Sequence, residues 1–577
     1  MLPAQNENYR NYIVKYNQNV YGPVAYQSDI TFQIINDLYG VIYISAEQQP
    51  DIMVNSYSYA SIPKCFTYMD LEALNTSNIT RLHNHPFLQL RGRGTMVAII
   101  DSGIDYRNSL FWEGNQSRIL NIWDQTIMEN TNNKSDVWEN DVENHKSVVS
   151  RVPFGKVFSK EEIEQAMLSD NPLDIVNSRD ENGHGTRLAA IAAGNTVEEE
   201  DFSGAAPEAS ILVIKLKTAK KYLKDFYLLP ENAQVFQEDD IMLAISYAMD
   251  SARYYQMPLS ICIGLGSSQG AHIGASPLCQ VVNWSSNFTQ NAISVAAGNE
   301  GIARHHFQGI LDRRNGGRTA ELRVGENEPG FTLEFWGELP EEYYVTIQSP
   351  TGENLEISTS VGAATQELSF VFVETKVYVN YISVERQSGK TLIFCRFLKP
   401  AAGIWKIIVR GRDQNGAVYH MWLPVQGLIS ENTYFLEASP YETITSPGDA
   451  EDAITTTAYQ ANNGSLYLQA SRGFLPTGRG QGMVKPNFAA PGVNIKVPGI
   501  AGKYDIESGS SLAAAQTAGA AALLFEWALV RGNEPFFTGN SVKNYLQIGA
   551  KREQGMSYPN EEWGYGKLDL YGTFERI

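Results

Sequence analysis

The stretch "YDIESGSSLAAAQTAGAAALLFEW" (residues 504–527) decides the fold, because a polar loop turns there into a long helix of small apolar residues. Ser508, Ser510 and Ser511 lie where this helix begins. A serine at a helix N-terminus lies among unpaired backbone N–H groups, which favour developing negative charge. Any one of the three could instead cap the helix, but capping needs only one serine. The alanines that follow leave little bulk, so the helix start can pack deep inside the protein.

Strand-like and helical stretches alternate from Gly94 to about Ile310, and the same character resumes after Ser446. "MVAIID", "ASILVIKLK", "LSICIGLG" and "AISVAAGN" are typical of buried strands, whereas "GHGTRLAAIAAG" and "DDIMLAISYAMDSARYY" are typical of helices. This alternation predicts an α/β domain with a parallel sheet and helices on both faces.

Residues 311–435 interrupt this pattern with strands of period two, separated by turn residues. Such a block predicts an inserted antiparallel β-sandwich, jelly-roll-like in layout. We expect its aromatic residues to lie on inner faces and to rigidify the protein by packing; they are Phe335, Trp336, Tyr344, Trp405 and Trp422. Residues 1–59 hold only short strand-like runs and predict a small α+β unit.

Composition excludes several classes of function. The formal net charge of −19 argues against a nucleic acid or an anionic membrane as partner, because phosphate binding needs a basic face. The longest apolar run is broken by Glu526 and suits a buried helix better than a membrane span.

The first residues lack the basic start and apolar run of a secretory signal, so we expect cytoplasmic synthesis. The scattered cysteines predict free thiols.

Two further residues are candidates for chemistry. Asp101 ends the strand "MVAIID", and the carboxyl end of a parallel strand is a common place for a site. His184 opens a helix between Gly183 and Gly185, which allow close approach of the backbone. Taken singly, the aspartate could be a loop cap and the histidine a structural residue.

Together, the three positions resemble the subtilisin-like serine proteases, the subtilase family. The motifs stand here as D-S-G-I-D (101–105), H-G-T (184–186) and G-S-S-L-A (509–513), in the chain order Asp, His, Ser. The resemblance implies that Ser511 is the nucleophile, His184 the base and Asp101 the acid that orients it. Ser510 stands where the family usually has threonine.

Two more segments carry the same resemblance. "VAAGNEG" is similar to the family's oxyanion-hole loop and implies that Asn299 donates to the oxyanion. "LSICIGLGSSQG" is similar to the strand that lines the substrate channel, where Gly264, Leu265 and Gly266 would pair with an extended peptide. The rival interpretation, a phosphate-binding loop of a dinucleotide enzyme, lacks the G-x-G-x-x-G spacing and the acid that follows it.

The whole layout resembles the clostridial germination-specific Csp proteases. This implies four segments: a prodomain (1–59), the subtilase domain in two parts (60–310 and 436–577), and the insert (311–435). It also implies a protein substrate, the precursor of a spore-cortex-degrading hydrolase, and association with the spore. "SYSYASIPK" (56–64) loosely resembles a propeptide junction, so we expect self-cleavage between Tyr59 and Ala60, with the cut prodomain retained in the channel.

Two alternatives remain open at this stage. The chain could be an inert scaffold or germinant sensor with a subtilase fold, or an intracellular or gut-bacterial subtilase with another substrate. Triad chemistry needs no cofactor or catalytic metal. Structural calcium is common in subtilases, but the acidic runs here show no recognisable ligand spacing.

Overall fold

The computed structural model describes residues 2–16, 30–49, 52, 54, 58–68, 77–128, 152–312, 317–359, 365–413, 415–473, 483–499 and 504–577. The N-terminal unit is a three-stranded antiparallel sheet in the order β1-β3-β2. Its strands are β1 (Tyr9–Lys15), β2 (Ile30–Ile34) and β3 (Tyr39–Ser45).

The first part of the α/β domain follows. Its strands are β4 (Cys65–Tyr68), β5 (Met96–Asp101), β6 (Trp112–Glu113), β7 (Gln116–Ser117), β8 (Ile119–Asp124), β9 (Lys156–Ser159), β10 (Ser210–Lys215), β11 (Phe236–Gln237), β12 (Leu259–Ile263), β13 (Leu265–Gly266) and β14 (Asn291–Ala296). Its helices are α1 (Ile79–His83), α2 (Lys160–Met167), α3 (His184–Ala193), α4 (Lys221–Phe226), α5 (Glu238–Tyr255) and α6 (Pro277–Ser286).

The insert holds β15 (His306–Asp312), β16 (Arg318–Val324), β17 (Gly330–Gly337), β18 (Tyr343–Gln348), β19 (Asn354–Glu356), β20 (Gln366–Ser369), β21 (Lys376–Ile382), β22 (Thr391–Leu398), β23 (Gly403–Gly411), β24 (Asn415–Trp422) and β25 (Tyr434–Phe435). The α/β domain then resumes with β26 (Ile454–Gln460), β27 (Phe488–Val493), β28 (Ile495–Pro498), β29 (Tyr504–Glu507), α7 (Ser510–Phe525), α8 (Gly539–Gly549) and α9 (Leu570–Phe574).

The main sheet has eight strands in the order β27-β26-β14-β12-β5-β10-β8-β9. All neighbouring strands are parallel except the edge strand β9, which is antiparallel to β8. Alternate residues of the central strand β5 enter different cores: Val97 and Ile99 pack with α3 and α7, whereas Ala98 and Ile100 pack with α5 and α6. The predicted parallel sheet with helices on both faces is thus observed, with one antiparallel edge.

The helix of the opening stretch is the centre of the first core. Every residue of α7 is buried, as expected of a helix that is apolar on all sides, and its alanines allow neighbouring elements to approach closely. Among the described residues, Ser510–Val530 is the one helix with the length and apolar character to cross a membrane, at a mean hydropathy of 1.3. Since 83% of it is buried inside the protein, a core helix explains it fully.

The insert region contains two antiparallel sheets, of six and five strands, which share one apolar core. Strand β17 is buried at every position. Its Phe335 points into the core of the insert, whereas Trp336 faces the N-terminal unit and the α/β domain. The expectation for Tyr344 is wrong: this side chain is exposed, because its neighbour Tyr343 takes the inward position of β18. The jelly-roll layout itself stays a prediction.

The N-terminal unit packs on the outer helices of the α/β domain. Val41 and Tyr43 of β3 share a core with Ile241 and Ala244 of α5. Polar contacts accompany this packing, since Lys220 Nζ donates to Asn11 Oδ1 at 2.8 Å. The four cysteines are free and buried.

Candidate active site

Asp101 and His184 form a buried pair at the carboxyl end of the main sheet. Asp101 is the last residue of β5 and His184 the first of α3, and His184 Nδ1 lies 2.6 Å from Asp101 Oδ1. The two residues are 0% and 4% exposed. A carboxylate at this distance orients the imidazole and stabilises the positive charge that the ring gains as a base.

Glycines make this pairing possible. Gly183 precedes the helix with φ of +81°, a left-handed conformation that favours glycine. A β-carbon on Gly185 would lie 2.2 Å from the carbonyl oxygen of Gly103, so only glycine lets α3 approach the loop after Asp101. The expectation of close backbone approach is confirmed at Gly185, whereas Gly183 is required for its left-handed conformation.

Ser511 lies in the first turn of α7 and is fully buried. Its position relative to the histidine follows from Gly264, between β12 and β13. A β-carbon built on Gly264 would lie 3.1 Å from His184 Cε1 and 3.1 Å from Ser511 Cβ. Because His184 Cε1 and Ser511 Cβ both lie this close to the same position, His184 and Ser511 are neighbours. Asp101 contacts His184, so the fold brings together the residues of all three motifs.

Asn299 lies beside the start of the same helix. The Ser510 backbone N–H donates to Asn299 Oδ1 at 3.3 Å, and the Gly298 N–H donates to Ser510 Oγ at 3.1 Å. Ser510 therefore ties the Asn299 loop to α7, a role that the motif alone did not reveal. Asn299 is thereby placed beside the residue that precedes Ser511, at the start of α7.

The predicted channel strand is already paired with a segment of the same chain. Leu265 and Gly266 of β13 pair antiparallel with Tyr68 and Thr67 of β4, and β4 pairs on its other edge with β11. The ring of Tyr68 lies 4.6 Å from that of His184, centroid to centroid. Burial, and then the charge of Asp101, raise the pKa of Tyr68. An extended peptide therefore lies in the channel and leads to the histidine.

The residues expected to occupy this channel were those around Tyr59 and Ala60, and that expectation is wrong. Tyr59 lies in a short 3-10 helix, 2% exposed, and packs against Trp336 and Phe394 of the insert. Its large ring gains more from this aromatic pocket than an extended strand would offer. Cleavage between Tyr59 and Ala60 stays a prediction without a supporting contact.

Glu334 of the insert holds this N-terminal segment in place. Its carboxylate accepts a hydrogen bond from the Tyr59 hydroxyl, one from the Gly270 N–H at 2.9 Å and one from Trp336 Nε1–H at 3.0 Å. The N-terminal segment, the loop after the channel strand and the insert thus meet at one buried carboxylate. No sequence motif could have found it, because the partners are distant in the chain.

Arg187, which replaces the second histidine of the family's H-G-T-H, faces a hairpin before the nucleophile. Its guanidinium lies 3.2 Å from Glu507 and 3.6 Å from Asp505. A cavity of about 340 Å³ opens nearby, lined by Asp105, Arg107, Asn108, Leu173, Ser178, Arg179, Asp180, Glu181, Gly183, Thr186, Pro498 and Gly499. The lining carries charges of both signs, so it does not indicate which substrate side chains the protein prefers.

The chain belongs to the subtilase family, the subtilisin-like serine peptidases. The family model for subtilases matches residues 92–366 and 432–566, which together make up most of the chain.

Within that family the chain is a Csp-like protease. It is similar to the solved structure of the Clostridium perfringens CspB protease, with 30% identity and a TM-score of 0.73. The match covers 86% of this chain and 96% of that one. This chain is also 24% identical over 530 residues to the PIII-type proteinase of Lactococcus lactis subsp. cremoris (strain SK11), and the match covers 84% of this chain. The chain spans only about a quarter, 25%, of that protein's length.

Proposed function

We propose that this chain is a serine endopeptidase in which Ser511 attacks the peptide carbonyl, His184 moves the proton and Asp101 orients His184. The observation that carries the proposal is the convergence of the buried Asp101–His184 pair and Ser511 on Gly264.

The mechanism follows from the positions of these groups. His184 takes the hydroxyl proton of Ser511 as the serine attacks, and returns it to the leaving amine. The negative charge on the substrate oxygen develops at the N-terminus of α7, where backbone N–H groups and the Asn299 amide favour it. Water then releases the acyl group by the same proton transfers in reverse order. Apart from the substrate and water, every group that acts in these steps belongs to this chain.

A fluorophosphonate probe tests the assignment of the nucleophile, because it reacts only with an activated serine. We expect one adduct per chain, mapped by peptide mass spectrometry to Ser511, and none in His184→Ala. The matched control is Ser508→Ala, which removes a neighbouring serine and should label like wild type. If folded wild-type protein is not labelled and does not hydrolyse an unfolded protein substrate, the inert-scaffold alternative is correct.

The same site supports self-processing behind β4. The paired strand Cys65–Tyr68 runs along Leu265 and Gly266 towards Gly264, the residue beside Ser511 and His184. The scissile bond that we propose follows Tyr68 closely in the sequence, among residues outside those that the structure describes. We propose that the chain is cut there once, leaving Met69 or Asp70 as the new N-terminus, and that the N-terminal unit stays bound afterwards.

The proposed substrate in trans is a protein precursor, the zymogen of a spore-cortex hydrolase. Pairing through the backbone of β13 suits any extended segment, and the likeness to a CspB protease supports this class of substrate. Processed protein incubated with a purified cortex-hydrolase precursor should shorten it once, and Ser511→Ala should not. If processed protein hydrolyses a general peptide substrate but leaves the precursor intact, the germination role is refuted while the peptidase assignment stands.

A further inference from the structure

A cluster of His306, His420 and Glu442 lies at the root of the insert, away from the triad. The three side chains place their ligand atoms within 4.8 Å of one another. Both histidines are 1% exposed, and the Glu442 side chain is 18% exposed. The mechanism proposed above uses none of them.

The contacts inside the cluster are not those of an ordinary hydrogen-bond network. His420 Nδ1 lies 3.0 Å from His306 Nε2 and 2.9 Å from Glu442 Oε2. One imidazole nitrogen can satisfy one such neighbour as donor or acceptor, but not both. Glu442 Oε2 makes no hydrogen bond despite this proximity, and His420 Nε2 is also buried without a partner. A buried carboxylate oxygen left in this state costs free energy, which a bound cation would recover.

The backbone at Glu442 gives a second, independent sign of a specific role. Glu442 has φ of +57°, a left-handed conformation that is uncommon for a residue other than glycine. Residues held in such conformations cluster at ligand-binding and catalytic sites. Here the conformation places the carboxylate of Glu442, which follows the insert in the sequence, beside two histidines on the paired strands β15 and β24.

We propose that His306, His420 and Glu442 bind one Zn²⁺ ion, with water as the fourth ligand. Two imidazoles and one carboxylate are a ligand set that zinc prefers, at bond lengths of about 2.0–2.2 Å. Two such ligands at a tetrahedral angle lie about 3.4 Å apart. The two spacings at His420 would therefore widen by about half an ångström, and the spacing between His306 and Glu442, which is within 4.8 Å, would have to reach the same value. The partly exposed side of Glu442 gives water access to the ion.

Neighbouring His272 is not a ligand, because its Nδ1 and Nε2 face the carbonyl oxygens of Ile444 and Ser268 at 2.8 and 2.9 Å.

The location of the ion gives it a structural role. His306 begins β15, where the chain enters the insert; His420 lies on the last long strand, β24; and Glu442 follows the exit. Trp422 connects them, since its ring stacks on His306 and His420 and its Nε1–H donates to the Glu442 carbonyl at 3.1 Å. On its other face it stacks on His272 of the α/β domain. Zinc would therefore link the segments where the chain enters and leaves the insert, and would stabilise the packing of the insert on the α/β domain.

The test is metal binding by the full chain, freed of metal with a chelator and titrated with Zn²⁺. We expect one tightly bound Zn²⁺ per chain, a raised melting temperature with zinc, and Co²⁺ absorption bands of a tetrahedral site. Glu442→Gln should weaken zinc binding at least tenfold and abolish the zinc-dependent rise in melting temperature. The matched control, Glu437→Gln, removes an exposed carboxylate near the same segment and should bind zinc like wild type.

A pair of histidine variants completes the design. His420→Asn should lose the site, whereas His272→Asn, which removes an imidazole of the same aromatic stack, should keep it. If a histidine variant does not fold, the comparison of Glu442→Gln with Glu437→Gln alone tests the proposed zinc site. Absence of stoichiometric zinc from wild-type protein, or equal zinc affinity of wild type and Glu442→Gln, would overturn the proposal.

Discussion

The ring of Tyr68 lies 4.6 Å from the ring of His184, and Tyr68 is the last described residue of the strand that occupies the channel. The strand paired with Leu265 and Gly266 thus ends beside the proposed catalytic base. This contact links the fold and the candidate triad to the proposed self-cleavage.

The first prediction concerns Asn299, whose oxygen and amide group have separate roles. Asn299→Asp keeps an oxygen that can accept from the Ser510 N–H but removes the amide donor. We expect kcat to fall by about 10²–10³, the range known for the oxyanion donor of subtilisin, while the melting temperature stays at the wild-type value. Steady-state kinetics on a peptide substrate and a thermal melt check both parts. Unchanged kcat would mean that Asn299 only caps the helix.

The second prediction concerns the space around Gly264. In Gly264→Ala the new methyl group would lie 2.7 Å from Leu188 Cδ1 and 3.1 Å from both His184 Cε1 and Ser511 Cβ. Leucine can move aside, but displacement of the reacting groups should lower kcat about ten- to a hundredfold. The double variant Gly264→Ala/Leu188→Ala removes the leucine contact and should not restore activity. Full recovery of kcat in the double variant would show that the new methyl group does not displace His184 or Ser511.

The third prediction concerns the hydrogen bond from Tyr59 to Glu334. Burial, and then the charge of Glu334, raise the pKa of Tyr59 well above its usual value, so the hydroxyl remains a donor. Tyr59→Phe should lower the free energy of unfolding by about 1.5–3 kcal/mol, because the bond is made to a charged group. Chemical denaturation in a Ser511→Ala background, where no cut complicates the result, measures it.

The matched control for that variant is Tyr344→Phe, which removes a hydroxyl from a tyrosine that is 41% exposed. It should change stability by less than about 0.5 kcal/mol. Equal effects of the two substitutions would mean that Glu334 does not hold the N-terminal segment.

The sequence predicted those parts of the site that lie in short motifs. The proximity of Asp101, His184 and Ser511 was predictable because each has small or glycine neighbours in the local sequence, as Gly185 shows by its approach to Gly103; their catalytic roles stay predictions. The parallel sheet was predictable from buried runs such as "MVAIID". One antiparallel edge strand, β9, was not, because four residues carry too little pattern.

Contacts between distant segments could not be predicted. The strand "CFTY" (65–68) is recognisable only by its partners, Leu265 and Gly266. The resemblance at Tyr59 pointed to a segment that packs against the insert instead. His306, His420 and Glu442 share no spacing that identifies a metal site, because strand pairing and the return of the chain bring them together.

Self-cleavage by Ser511 directly after β4 is tested most directly by intact mass with N-terminal sequencing. Wild-type protein should give two fragments that remain together in gel filtration, the larger beginning at Met69 or Asp70, while Ser511→Ala gives one full-length chain. A fragment beginning at Ala60 would place the cut at the Tyr59–Ala60 bond and contradict the position inferred from β4. A single uncut chain from both proteins would contradict self-processing altogether.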